Sequence, residues 1–231
     1  MKRAMLALGF VAVSAHAQVV ATAGNRIVVA HDGRVELFDA SANSVWSAEG
    51  VDQPSSIATS ADSIAIVDSF NNRVSVVHPG TEVAERIVTG ETPVDARFIG
   101  RDLYVLDRAA NRLERVGGST VSVAPDPAFM RAAGNMLYVY SRLDGVVQEI
   151  DPAAMRVRRT LTVTPFASDF EVDGRSGYLV DPRAAKLRTF SLDSMQRTAD
   201  IATGAVPVDL AVTTKPNVLS ASRLAIADPA S

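Results

Sequence analysis

Pro93-Val94-Asp95-Ala96, Leu103-Tyr104-Val105-Leu106-Asp107 and Asn111-Arg112-Leu113 make up a phrase that the chain has already used, as Pro54-Ser55-Ser56-Ile57, Ile64-Ala65-Ile66-Val67-Asp68 and Asn72-Arg73-Val74. Outward from these two copies, opening prolines fall at 54, 93, 127, 165 and 207, with spacings of 39, 34, 38 and 42 residues. A period of that length, written in short strand-like runs, is the signature of a β-propeller. Loops absorb the uneven spacing.

The runs between the prolines alternate or cluster Val, Ile and Leu and are bounded by Gly, Asp, Asn and Pro, which is strand and turn punctuation; helical periodicity is almost absent. Each full unit holds four runs. In the third unit they are 96–99, 103–106, 112–116 and 120–123, with Gly117-Gly118 as a tight turn. The units are 18–50, 51–90, 91–126, 127–164, 165–204 and a partial 205–231. His31-Asp32-Gly33 marks a hairpin turn in the first. The expected fold is all-β: one propeller domain over 18–231, with about six four-stranded blades and the last incomplete. Phe98, Phe129, Tyr138, Phe170 and Tyr178 are expected between blades, which must stack to bury their faces. In the last unit, Arg223-Leu224-Ala225-Ile226-Ala227-Asp228 reads as the second-strand phrase again, leaving about half a blade. An unclosed ring would expose strand edges and apolar faces. The expectation is therefore a truncated form of a longer propeller, with closure through a two-stranded sixth blade as the alternative.

The phrase from Pro93 to Val116 resembles the YVTN-type β-propeller repeat and, more loosely, the NHL-type repeat. The resemblance covers nearly all of 18–231 and is clearest in the second, third and fifth units. The fourth departs from it, with Tyr140-Ser141 at the strand end and Asp144-Gly145 in the turn. Similar repeats occur in calcium-dependent lactonases of the gluconolactonase type and in periplasmic quinoprotein or amine dehydrogenase subunits. A lactonase implies a Glu, an Asn and an Asp on Ca²⁺ at the channel mouth, where the ion polarises the lactone carbonyl and activates water. Here the mouth offers Asp, with Glu91 the nearest Glu by register. A dehydrogenase implies a quinone, and one Trp with no Cys offers little to build one from.

Residues 1–17 read as a signal peptide: Lys2 and Arg3, an apolar stretch over 4–14, and Ala15-His16-Ala17 as cleavage site. The apolar stretch is about half the roughly 20 residues a spanning helix needs. The mature chain is expected to start at Gln18, exported to the periplasm or secreted, with no membrane span after cleavage. Absence of Cys excludes disulfides, Cys-held metal, a lipidated cysteine and C-x-x-C-H haem attachment. Loss of Lys2 and Arg3 takes the net charge from −3 to −5. A mildly acidic chain without basic runs is a poor partner for nucleic acid or anionic membrane. Its cations are nearly all Arg, which fits codon usage better than a set of anion forks.

Two sets of aspartates invite a functional reading. Asp68, Asp107, Asp181 and Asp228 end second strands, one per blade, where turn chemistry explains them: Asp accepts from backbone N–H groups two or three residues on. Asp52, Asp95, Asp169 and Asp209 stand near the starts of innermost strands and are the candidate channel-mouth site. Converging carboxylates there would suit Ca²⁺; the alternative is that each caps its own loop or pairs with an arginine such as Arg97 or Arg131. No catalytic, cofactor or metal residue is assigned. His31 and His78 sit in turns without metal-ligand spacing, and Trp46 belongs to an outer strand. Nucleophile-elbow, phosphate-loop and dinucleotide motifs are absent. The expected function is a non-enzymatic module that binds a protein or small ligand, monomeric if the ring closes.

Overall fold

The structure, a computed structural model, describes residues 19–31, 33–81, 84–203, 206–212, 216–220 and 223–226. The expected signal peptide 1–17, the expected mature start Gln18, Asp32 and Asp228 lie outside the described residues. No helix among the described residues is long and apolar enough to cross a membrane. Among the described residues all regular structure is antiparallel strand, in five four-stranded meanders and one three-stranded sheet.

Blade 1 runs through Val19–Ala23, Arg26–His31, Gly33–Phe38 and Ser44–Val51, and blade 2 through Ser56–Thr59, Ile64–Asp68, Arg73–Val77 and Glu85–Val88. Blade 3 comprises Pro93–Ile99, Asp102–Asp107, Arg112–Arg115 and Thr120–Ser122. Blade 4 comprises Pro127–Ala133, Met136–Ser141, Val146–Asp151 and Arg156–Thr162. Blade 5 comprises Asp169–Asp173, Ser176–Asp181, Lys186–Ser191 and Gln196–Ala202, and blade 6 Pro207–Val212, Pro216–Ser220 and Arg223–Ile226. The inner strands of successive blades pack side by side from blade 1 to blade 6. Among the described residues, the inner strands of blades 6 and 1 show no packing of that extent.

The core lies between blades, which explains the continuous apolar second strands of blades 2 to 4: they are buried on both faces. Leu103 and Val105 pack toward blade 2, whereas Tyr104 and Leu106 pack toward blade 4. Leu137 and Val139 face blade 3, and Tyr138 and Tyr140 face blade 5. The five aromatic residues expected between blades all lie in, or against, these inter-blade clusters. Phe129, Tyr140, Phe170 and Phe190 continue as a file of rings 6.2–6.3 Å apart. Phe190 lies so close over its strand partner Gly177 that any Cβ there would strike the ring. Trp46 sits on the outer strand of blade 1 and donates from Nε1 to Thr81 O at 3.1 Å.

Turn chemistry accounts for Asp68 and Asp181 but not for Asp107, which accepts no turn N–H among the described residues. Asp68 accepts from Asn71 N at 3.0 Å, and Asp181 from Arg183 N and Ala184 N at 3.1 and 2.9 Å. The four-residue turns that follow the second strands end in a left-handed residue: Asn72 (φ 55°), Asn111 (φ 48°), Gly145 (φ 61°) and Ala185 (φ 51°). Asn72 and Asn111 use their Oδ1 atoms to accept from Thr92 N and Asp126 N at 2.8 and 3.0 Å, tying each turn to the entry of the next blade.

The sixth sheet corrects one alignment. Arg223–Ile226 is the third strand of its blade, not a copy of the second; that place belongs to Pro216–Ser220. Ser220 stands where Asp68 and Asp107 stand, as Ser141 does in blade 4, so the missing Asp hid the strand. Three described strands therefore occupy what the repeat count read as about half a blade.

Candidate functional site

Strand pairing sorts the inner-strand residues into layers around the axis. One layer holds Val19, Ser56, Asp95, Phe129, Asp169 and Asp209 from blades 1 to 6. Two residues further along, a second layer holds Ala21, Ala58, Arg97, Arg131, Glu171 and Ala211. The charges thus fall on blades 3 to 6, and blades 1 and 2 contribute small side chains. Between the two halves lies a cavity of about 600 Å³, lined among others by Val19, Ala58, Asp95, Arg97, Arg131 and Glu171.

Asp95, Asp169 and Asp209 occupy the places expected of them; Asp52 does not. Asp52 precedes the inner strand of blade 2, is half exposed and pairs with Arg73. The inner-layer residue of that blade is Ser56, whose hydroxyl donates to Asp95 Oδ1 at 2.9 Å. The signal was the distance from the opening proline: two residues in Pro54/Ser56, Pro93/Asp95, Pro127/Phe129 and Pro207/Asp209.

Asp95 is buried and accepts five hydrogen bonds: from Ser56 Oγ, its neighbour Ala96 N (2.9 Å), Arg97 Nη1 (2.7 Å), Met130 N (2.8 Å) and Arg131 Nη1 (3.1 Å). It joins blades 2, 3 and 4. Asp169 repeats the role one step around, accepting from Phe170 N at 2.7 Å and from Leu210 N of blade 6 at 3.0 Å. Burial pushes the Asp169 carboxyl up to about 7; Arg131 opposes the rise, and a hydrogen bond with the Asp209 side chain adds to it. Asp209, exposed, accepts from Leu210 N at 2.8 Å.

Arg131 stands where a cation would be needed to join these acids. Its Nε donates to Glu171 Oε1 at 2.6 Å, its Nη1 to Asp95 and to Met130 O, and its Nη2 lies 3.5 Å from Asp169 Oδ1. Burial works against its charge, but Asp95, Glu171 and Asp169 outweigh burial and hold its pKa above the ordinary value. Arg97 is the opposite case: burial outweighs Asp95 and, with Arg131 repelling, brings its pKa down. Among the described residues no three acids or histidines converge as a metal site would require. Glu91 is exposed and does not line the cavity. Arg97 and Arg131, the arginines expected as partners of these aspartates, both pair with Asp95. Glu171 was missed because the other inner strands carry no acid at that register.

The second-strand aspartates have a further partner that the sequence reading did not anticipate. Asp68 lies 3.3 Å from Arg73, Asp107 accepts from Arg112 Nε at 3.0 Å, and Asp181 accepts from Arg188 Nε at 2.8 Å, each arginine on the third strand of the same blade. His31 Nε2 lies 3.4 Å from Glu36, and His78 Nδ1 3.0 Å from Ser63 Oγ.

No family model and no curated protein matches the chain. Among solved structures it is similar to hydrazine synthase from Kuenenia stuttgartiensis (TM-score 0.71, 14% identity), over 84% of this chain and 70% of that one. It is similar to BamB from Moraxella catarrhalis (TM-score 0.66, 14% identity; 90% and 68% covered) and to AztD from Citrobacter koseri (TM-score 0.59, 15% identity; 84% and 61% covered). A fourth, the dihydro-heme d1 dehydrogenase NirN, is spanned over 49% of its length at 12% identity. At such identities the likeness speaks for architecture alone, and that architecture is the β-propeller.

Proposed function

We propose that this chain is an exported, non-enzymatic β-propeller of YVTN-type repeats that binds a protein or small ligand through its channel and the loops around it. The observation that carries the reading is the fate of the channel acids. Asp95, Asp169 and Glu171 are spent on backbone N–H groups and on Arg131, so their work is to join blades, while about 600 Å³ of the channel stays free. Ligand pockets of this size and concavity are the usual place for a bound small molecule. Residues 1–17 support export, and the missing cysteines leave the fold independent of redox state. The domain is taken as 18–231.

Ca²⁺ and lactone test the reading together. Added Ca²⁺ is expected to leave the melting temperature unchanged, and gluconolactone-type lactones to hydrolyse no faster than in buffer. A Ca²⁺-dependent rise in stability accompanied by turnover would replace the binding module with a hydrolase. Expression of the whole precursor, followed by N-terminal sequencing of the exported product, is expected to begin at Gln18.

A further inference from the structure

Of the two channel arginines among the described residues, Arg97 alone has donors left over. Asp95 already accepts five bonds, Glu171 accepts Arg131 Nε, and Asp169 is held by two backbone N–H groups. Arg131 directs all three of its nitrogens to acids or to a carbonyl. Arg97 uses Nη1 alone, on Asp95 and on Ala96 O at 2.6 Å. Its Nε and Nη2 have no partner among the described residues, it lines the cavity, and its side chain keeps 21% of its surface accessible. Burial, helped by the repulsion of Arg131, depresses its pKa against the pull of Asp95 and Glu171, and both acids also serve Arg131. The guanidinium is therefore short of negative charge. Val19, Val20, Ala21 and Ala58 give the same cavity an apolar lining.

We propose that the channel binds a small organic monocarboxylate, with its two oxygens on the Nε/Nη2 edge of Arg97 and its apolar body against Val19, Val20 and Ala21. This rests on the ligand-binding reading above and names the ligand's class. A planar carboxylate matches one guanidinium edge, two N–H groups to two oxygens. A phosphate dianion fits less well: a single cation has spare donors, and Asp95 and Glu171 nearby repel a second negative charge. An organic cation would find Asp95, Asp169 and Glu171 each beside an arginine that repels it.

Hexanoate is the probe, titrated calorimetrically into the full chain beside hexanol, which has the same body without the charge, and inorganic phosphate. Hexanoate is expected to bind and the other two not. Arg97→Gln should weaken hexanoate by about tenfold or more, the effect of losing a bond to a charged group. Arg97→Gln also disturbs Asp95, so Val20→Glu serves as a second variant. Val20 is half exposed, and a carboxylate there should repel the ligand without burdening the fold. Unchanged binding in both variants, equal binding of hexanol, preference for phosphate, or no binding of hexanoate would each overturn the proposal. If hexanoate is ignored but another molecule or protein copurifies, the carboxylate class falls and the binding module stands. Lactone turnover removes the reading beneath it instead.

Discussion

The second strands of blades 1 and 4 hold the same place in their sheets and have different surroundings. In Met136–Ser141, Leu137 and Val139 are buried against blade 3, and Tyr138 and Tyr140 against blade 5. In Arg26–His31, Val28 and Ala30 are buried against blade 2, while the alternating Ile27 and Val29 are only half covered. The two runs look alike as sequence, since four consecutive apolar residues fit either case. A blade face becomes core when a neighbour stacks on it. Blade 4 has neighbours on both sides, and the outer face of blade 1 has none of comparable extent among the described residues.

Truncation of an aromatic residue on each blade should show the largest contrast. Tyr140 is fully buried, donates to Thr164 O at 2.7 Å and accepts from Ala167 N at 2.8 Å. Tyr140→Ala is expected to cost about 3–5 kcal/mol in denaturant unfolding. Phe38, on the half-covered face of blade 1, should cost under about 1 kcal/mol when changed to Ala. Equal losses would mean that the outer face of blade 1 is covered in solution.

The inner strands offer the next contrast. Arg131 of blade 4 and Ala21 of blade 1 share a register position. Arg131→Met strands Glu171 without its cation, leaves Asp95 with Arg97 alone, and should cost about 3 kcal/mol. Ala21→Ser, which disturbs no ion pair, should stay within about 0.5 kcal/mol. A mild Arg131→Met variant would mean that water reaches the acids freely, and the blade-joining role given to them would fail.

A pH series sharpens the picture for blades 5 and 6. The unfolded Asp169 carboxyl ionises near 3.8, and burial holds the folded one protonated up to about 7. Between those values the folded state binds more protons, so the contribution of Asp169 to stability is present at the acid end and declines as pH rises toward 7. The loss across that window should be at least about 1 kcal/mol. Asp169→Asn should flatten stability over the window; an unchanged slope would show that Asp169 titrates normally.

The smallest effect belongs to the turns. Ala185 adopts φ 51° where blade 4 has Gly145 and blade 2 has Asn72. A left-handed Ala carries a steric penalty of about 1 kcal/mol. Ala185→Gly should therefore raise stability by a fraction of that, read as a small rise in Tm, and a fall would mean that the turn is not under strain.

The fold was legible because the repeat writes it several times over. Strand runs, turn asparagines and opening prolines each recur, so one degraded copy is outvoted by the others. Where two signals degrade together the reading slipped: with Ser220 in place of Asp, the third strand of blade 6 passed for a second. At the candidate site, Asp95, Asp169 and Asp209 were found by repeat position, whereas Asp52 was chosen by residue type in place of Ser56. The difference between Arg97 and Arg131 could not be read at all. Both occupy one register position, and only counting donors in space shows that Arg131 is saturated and Arg97 is not.

By itself the sequence determined the blade: four short strands, their turns, and the apolar second strand, all products of local alternation and turn chemistry within about 40 residues. The tertiary structure decided what each blade meets. Whether an apolar face is core, whether Asp95 finds Arg131 beside its own Arg97, and which charge is left with spare donors depend on residues roughly one repeat period away in the neighbouring blade, and local patterning carries no record of them.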